Sequence, residues 1–207
     1  LIVIKSTIPL QFINYLDGVQ YNVVYMPEFL REYSSIEDAD NPDRIIVGSN
    51  SGSKPPVVEA FVSLLLLCIK KPNCPVQHTG IKEAVAIKLH ANAYLAARVA
   101  FFNELSTFCS KNQLDTKAVI TGVCADRRIG NFYNNPSFGF GGSCLPKDTR
   151  QLQRYYDNQS IISHIEQSND SRKRFIVELV TSRLAANQGI VGVFVATSKR
   201  LYKIQCL

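Results

Sequence analysis

The chain has 207 residues, 46% of them hydrophobic, and a formal charge of +6, enough material for a buried core in one domain or two. No apolar run approaches the roughly 20 residues that span a bilayer; the longest lies around Val62–Ile69, and the opening LIVIKSTIP has no basic stretch ahead of it, unlike a signal peptide. Basic residues are dispersed, apart from Arg172, Lys173 and Arg174 and the tail residues Lys199, Arg200 and Lys203, which argues against nucleic acid and for an anionic small molecule.

Leu1–Lys5 is a continuous apolar run of the kind found in a parallel strand covered on both faces. A short helix over Ile8–Asp17 follows, then strands at Asn22–Met26 and Asp43–Gly48. Lys54–Lys70 carries apolar residues at helical spacing and is closed by Pro72 and Pro75, with a short extended piece over Pro75–His78. From Ile81 to about Lys111 the pattern is helical, rich in alanine and free of glycine and proline. Apolar residues lie almost all the way round it, as in a domain's central axis or a dimer interface. Further helices are expected at Asp115–Cys124, Pro146–Tyr156 and Ile161–Ala186, and a buried strand at Gly189–Ala196. The fold class is therefore an α/β fragment: the end of a Rossmann-like parallel sheet over 1–80, a helical central domain over 81–186, and the first strand of a second α/β domain over 187–207.

Cys68, Cys74, Cys109, Cys124, Cys144 and Cys206 form no C-x-x-C pair, and the histidines do not cluster. Neither a metal site nor a disulfide framework is suggested, and a reducing cytoplasm is the expected compartment.

The segment Tyr133–Thr149, YNNPSFGFGGSCLPKDT, holds the densest chemical signal. A helix starting near Leu145 or Pro146 puts Cys144 at its amino end, where free N–H groups and the dipole stabilise a thiolate. Lys147 adds a cation, Asp148 a carboxylate in the first turn, and Gly139, Gly141 and Gly142 clear side chains from the approach. These features suit a covalent nucleophile; the alternative is a buried, inert cysteine before an ordinary helix. Lys88 and Asn92 share one face of the long helix, suited to holding an oxyanion or simply solvated. Glu28 and Glu32 follow the second strand, where ligands of open α/β sheets bind, though acidic residues also gather at helix starts. Thr7 ends the first strand, as a ligand contact or a turn residue. Arg128, Tyr133 and Ser137 offer a phosphate contact, a stacking face and a hydroxyl, or ordinary surface. No strand–GxGxxG–helix unit occurs anywhere.

KST at 5–7, PEFLRE at 27–32, DRIIVG at 43–48, KLHANAYLAARVAFFNEL at 88–105 and the cysteine loop together resemble the nucleotide-sugar dehydrogenase family. PEFLRE with YNNPSFGFGG favours its UDP-glucose branch over those acting on GDP-mannose or UDP-N-acetylmannosamine. The resemblance implies NAD-dependent oxidation of UDP-glucose to UDP-glucuronate through a thiohemiacetal and a thioester on Cys144. It assigns Lys88 and Asn92 to the oxyanion, Thr7 and Asp148 to the catalytic water, and Glu28 to proton transfer. Phe29, Leu30 and Glu32 match contacts near sugar and cofactor, and Lys147 a cofactor contact. Tyr133, Asn134, Asn135, Pro136, Ser137 and Gly141 match the UDP-glucose cradle, and Lys199 a substrate lysine. Arg128 matches an arginine reaching the partner subunit's site, in keeping with a homodimer through the long helix.

The chain departs from the family in three places. The glycine-rich amino-terminal half-domain is missing, Tyr33 replaces a usual glycine, and KRLYKIQCL stands where KSxSDNFR-like text is expected around Lys199. A fragment inactive by itself is therefore expected. The alternatives are a non-catalytic dimerising module that binds a nucleotide sugar, a dehydrogenase for another sugar such as GDP-mannose, or a cofactor-free thiol hydrolase.

Overall fold

A computed structural model describes residues 1–187 and Gly192. The strand expected at 189–196 and Lys199 fall outside the described residues, as does all of the 187–207 domain but Asn187 and Gly192. Two compact units divide the described chain, one running from Leu1 to Lys88 and one starting at Leu89.

In the first unit, β1 (Ile2–Ile4), α1 (Leu10–Asp17) and β2 (Val23–Tyr25) form one strand–helix–strand crossover. A 3-10 turn at Glu32–Ser34 and α2 (Ser35–Asp40) lead to a second, made of β3 (Ile45–Ser49), α3 (Pro55–Cys68) and β4 (Val76–Gly80). The sheet order is β1-β2-β3-β4. β1 runs parallel to β2 and β3 to β4, whereas β2 and β3 pair antiparallel, Val24 opposite Ser49. The α/β class stands, but the sheet is mixed where an all-parallel one was expected. A parallel connection needs a crossover element packed on the sheet, and α2, the only helix between β2 and β3, buries no residue.

The core lies between sheet and α3, with Val24, Met26, Ile45, Val47, Val58 and Val62 in one buried cluster. β2 is buried throughout, while β1 is an edge whose Ile2 is exposed, so the opening strand is not covered on both faces. β4 extends past the expected Pro75–His78 piece. Its polar QHT text hides a full ladder with β3, in which Val47 pairs with His78 and Ser49 with Gly80. Asn50, buried behind β3, donates to the Leu16, Val19 and Tyr21 carbonyls and accepts from Val23 N–H at 3.0 Å, tying the α1–β2 connection down. A Cβ on Gly48 would lie 2.6 Å from the Ala84 methyl, so glycine is what lets the next helix seat against β3.

That helix, α4 (Ile81–Lys111), runs the full expected length without interruption. With Glu83 in its first turn and Lys111 in its last, it suits its own dipole. The second unit adds α5 (Thr116–Cys124), α6 (Cys144–Gln153) and α7 (Ile161–Asn187) to α4 from Leu89 onward. Asp115 caps α5, accepting from the Lys117 and Ala118 N–H groups. Ala93, Ala96, Ala100 and Phe102 of α4 are buried, as are Leu152 and Ile165. On the outside, Tyr94, Phe101 and Phe108 form an exposed stripe at seven-residue intervals. No helix among the described residues is long and apolar enough to cross a membrane.

Candidate active site

α6 begins at Cys144 itself, two residues before Pro146. Pro146 still lies in the first turn, where N–H groups have no intrahelical acceptor and its missing one costs nothing. Cys144 is exposed rather than buried, its sulfur 3.6 Å from the Ser143 hydroxyl. One turn on, Asp148 is fully buried and accepts from the Asn92 amide at 2.5 Å. Its other oxygen, Oδ1, lies 3.4 Å from Lys147 Nζ and takes part in no hydrogen bond among the described residues. The neighbouring Thr149 hydroxyl is likewise buried without a hydrogen bond among the described residues. Asn92 and Asp148, 56 residues apart in sequence, thus form one buried polar pair beneath the cysteine's helix.

The approach to Cys144 is pinned from behind. The Asn103 side-chain oxygen accepts Ser137 N–H at 2.7 Å, and Arg172 Nε donates to Ser137 O at 2.9 Å. The Asn169 amide takes both polar groups of Phe140, accepting its N–H at 2.8 Å and donating to its carbonyl at 3.0 Å. Arg98 holds the earlier stretch by donating to the Ile129, Gly130 and Phe132 carbonyls. Gly139 (φ +133°) and Gly142 (φ +78°) adopt conformations that favour glycine. A Cβ on Gly139 would also lie 2.8 Å from Asn169 Oδ1. Two of the three glycines therefore serve the loop's own shape, while Gly141 borders open space.

The basic run 172–174 does not share one environment, and Arg172 is its odd member. It is buried, and its guanidinium also reaches Thr107 Oγ1 at 2.8 Å and the Asn103 carbonyl, while Lys173 and Arg174 face solvent. Burial pushes its pKa below the ordinary arginine value. Asn103, Asn169 and Arg172 were not among the residues expected from sequence. The available signal was position: Asn103 lies eleven residues, three helical turns, after Asn92 and so on the same face.

In the first unit, Lys88 and the segment after β2 come together. Lys88 donates to the Glu28 carbonyl and lies 5.1 Å from the Phe29 ring centroid, with Arg44 over that ring at 4.2 Å. Lys88 is thus half-buried rather than fully solvated. The Glu28 carboxylate pairs with Lys5 at 2.6 Å. Thr7 is half-buried beyond the end of β1, Leu30 is exposed, and the Glu32 side chain is not described. The Arg31 guanidinium holds Asp38 well below the usual carboxylate range, chiefly through its hydrogen bonds.

The other expected residues lie in the second unit. Tyr133 is exposed with φ +51°, and Asn134 donates to the Cys124 sulfur at 3.2 Å. Asn134, Asn135 and Pro136 line a cavity of about 320 Å³ with Thr116, Lys117 and Thr121. Arg128 is exposed and bound to Asp126, whose hydrogen bond raises its pKa.

Residues 1–63 match the model of the UDP-glucose/GDP-mannose dehydrogenase family's NAD binding domain, and residues 82–171 that of its central domain. A UDP-glucose 6-dehydrogenase of Campylobacter jejuni is 40% identical over 197 residues, covering 93% of this chain and 48% of the relative. One from Streptococcus pneumoniae is 39% identical over 200 residues, covering 93% and 50%. The structure of a UDP-glucose dehydrogenase from Pyrobaculum islandicum superimposes with a TM-score of 0.74 at 31% identity, over 88% of this chain and 44% of that one. The chain spans about half the length of the curated relatives it matches. Two domain models of one family, met in succession along a mixed α/β unit and a helical unit, leave a single assignment: the chain belongs to the UDP-glucose/GDP-mannose dehydrogenase family.

Proposed function

We propose that this chain carries the covalent chemistry of an NAD-dependent oxidation of UDP-glucose to UDP-glucuronate. The observation that supports it is the exposed Cys144 at the amino end of α6, with the buried Asn92–Asp148 pair one turn below. The names of the curated relatives supply the substrate class.

In this reading the Cys144 sulfur adds to the C6 aldehyde of the nucleotide sugar, and the carbonyl oxygen takes a proton to give a thiohemiacetal. Loss of hydride from C6 and of the proton from its hydroxyl leaves a thioester. Water then attacks the thioester carbon, the tetrahedral adduct expels the thiolate, and the carboxylate is released. Asn92 gives one amide hydrogen to Asp148 and keeps a second for the oxyanion. Asp148 Oδ1, buried with no hydrogen bond among the described residues, is an acceptor suited to the attacking water. Lys88, Thr7 and Glu28, in the first unit, take the oxyanion, water and proton-transfer roles that the family resemblance implies.

NAD, when bound, accepts the hydride in both oxidations. The described residues fit only the margin of its site. Thr7 and the segment after β2 stand at the carboxyl ends of strands, but no glycine-rich strand–helix turn is present for a diphosphate. The chain by itself is therefore expected to make no NADH from UDP-glucose; NADH formation that disappears in Cys144→Ser would refute this. The covalent step is tested with the 6-aldehyde of UDP-glucose. It should slow iodoacetamide alkylation of Cys144, reversibly and with saturation, and leave exposed Cys68 untouched. Equal alkylation of Cys144 at high aldehyde would overturn the reading.

A second observation supports a homodimer through α4. Tyr94 and Phe101 are exposed beside an apolar groove of about 470 Å³ also lined by Phe102, Ile129, Ile161 and Ile165. The five free cysteines among the described residues suit a reducing cytoplasm.

A further inference from the structure

We propose that Asn103, Asn169 and Arg172 are positioning residues for Cys144: side chains from α4 and α7 that fix Ser137 and Phe140, and through them the loop on which a nucleotide sugar lies. The inference rests on the function proposed above.

A loop carrying substrate contacts ordinarily leaves its peptide groups to water and samples several conformations. Here both peptide groups of Ser137 and both of Phe140 are taken by side chains. Ser137 donates to Asn103 and accepts from Arg172, and Phe140 does both with Asn169. Between them the Ser137 hydroxyl bridges Gly139 N–H and carbonyl at 3.2 Å each. Asn103, Asn169 and Arg172 are at most 8% exposed, so water competes little for these bonds. Only Gly141, Gly142 and Ser143 separate Phe140 from Cys144, a tether too short for the cysteine to ignore where Phe140 is held. Arg172 is the unusual member. Among the described residues its hydrogen bonds all go to carbonyls and hydroxyls, none to a carboxylate. A buried cation held this way is costly, and a structural role alone would be met as well by a neutral donor. It also leaves net positive charge behind a loop proposed to carry a diphosphate.

The test uses the whole 207-residue chain and its Asn169→Leu, Arg172→Met, Arg172→Lys and Gly139→Ala variants. Gly139→Ala presses on Asn169 from the loop side without altering either helix, so it keeps the test alive if a helix variant fails to fold. Three quantities are read: amide hydrogen exchange at Ser137 and Phe140 by NMR, the intrinsic rate of Cys144 alkylation, and the UDP-glucose 6-aldehyde concentration that halves that rate. Losing both bonds to Phe140 should speed its exchange by about ten- to a hundredfold. Aldehyde affinity should fall about tenfold or more in Asn169→Leu, Gly139→Ala and Arg172→Met, and partly recover in Arg172→Lys. The intrinsic alkylation rate, which needs no ordered loop, should stay within about twofold. A merely structural role would not separate affinity from intrinsic reactivity in this way. Unchanged aldehyde affinity despite faster loop exchange overturns the inference. If the unaltered chain shows no aldehyde protection, the proposed function falls, and the positioning claim is judged by exchange alone. Acceleration confined to 137–140 then upholds it, and no acceleration overturns it.

Discussion

Replacing Asn92 by Leu removes the one hydrogen bond that the Asp148 carboxylate accepts among the described residues, at 2.5 Å, while filling nearly the same volume. Both residues are buried, Asn92 at 7% and Asp148 at 0% exposure, so no solvent replaces the lost donor. Lys147 remains at 3.4 Å from the other oxygen, without hydrogen-bond geometry. A hydrogen bond to a charged group contributes about 1.5–3 kcal/mol, and stranding a buried acceptor costs about 1–3 kcal/mol. These describe overlapping parts of one loss, so Asn92→Leu should destabilise by about 2–4 kcal/mol. Asp148→Leu strands only a neutral amide and should cost less. The double variant strands neither, so the coupling energy should be about 1.5–3 kcal/mol. Urea unfolding of all four proteins, followed by far-ultraviolet circular dichroism, measures it, because the long helices α4 and α7 dominate that signal. A coupling below about 0.5 kcal/mol, the scatter of independent sites, would refute the claim that the pair is a unit.

Cys144 opens α6 and Cys68 closes α3, both exposed. Opposite helix ends contribute about 0.3–1 kcal/mol each with opposite sign, so limiting iodoacetamide should modify Cys144 about three- to thirtyfold faster, read by peptide mass spectrometry. Faster labelling of Cys68 would end the nucleophile argument. The Tyr94 and Phe101 stripe should hold two copies together, and a Tyr94→Glu/Phe101→Glu double variant should sediment as a monomer; a wild-type monomer at high concentration contradicts it. Because Arg31 depresses Asp38, the pair stabilises the fold above the ordinary Asp pKa of about 3.9, and that contribution is lost as pH falls through the depressed value. Arg31→Met should raise the Asp38 titration, followed by NMR, toward the ordinary range, with the Arg31 N–H and the Ser34 hydroxyl still holding it partway down, and an unmoved titration would show that the guanidinium is not the cause.

Periodicity and punctuation were enough to place most elements. The 31-residue α4 was legible because nothing in Ile81–Lys111 interrupts a helix. α6 was legible because a glycine run and Pro146 mark where one begins. The cysteine loop was legible as chemistry because Cys144, Pro146, Lys147 and Asp148 belong to one stretch of chain, so their helix-end environment is local. What sequence could not supply is whatever depends on partners far along the chain. The antiparallel seam between β2 and β3 follows from a helix too short to pack, and β4 from a ladder that its own polar residues do not announce. The same holds for the Asn92–Asp148 pair and for Asn103, Asn169 and Arg172. A buried asparagine or arginine looks like a surface residue until its partners are known, and those partners here stand 29 to 69 residues away along the chain. Hydrogen bonds of that span exist only once α4, α6 and α7 have packed, which is why tertiary structure alone decided how the Cys144 loop is held.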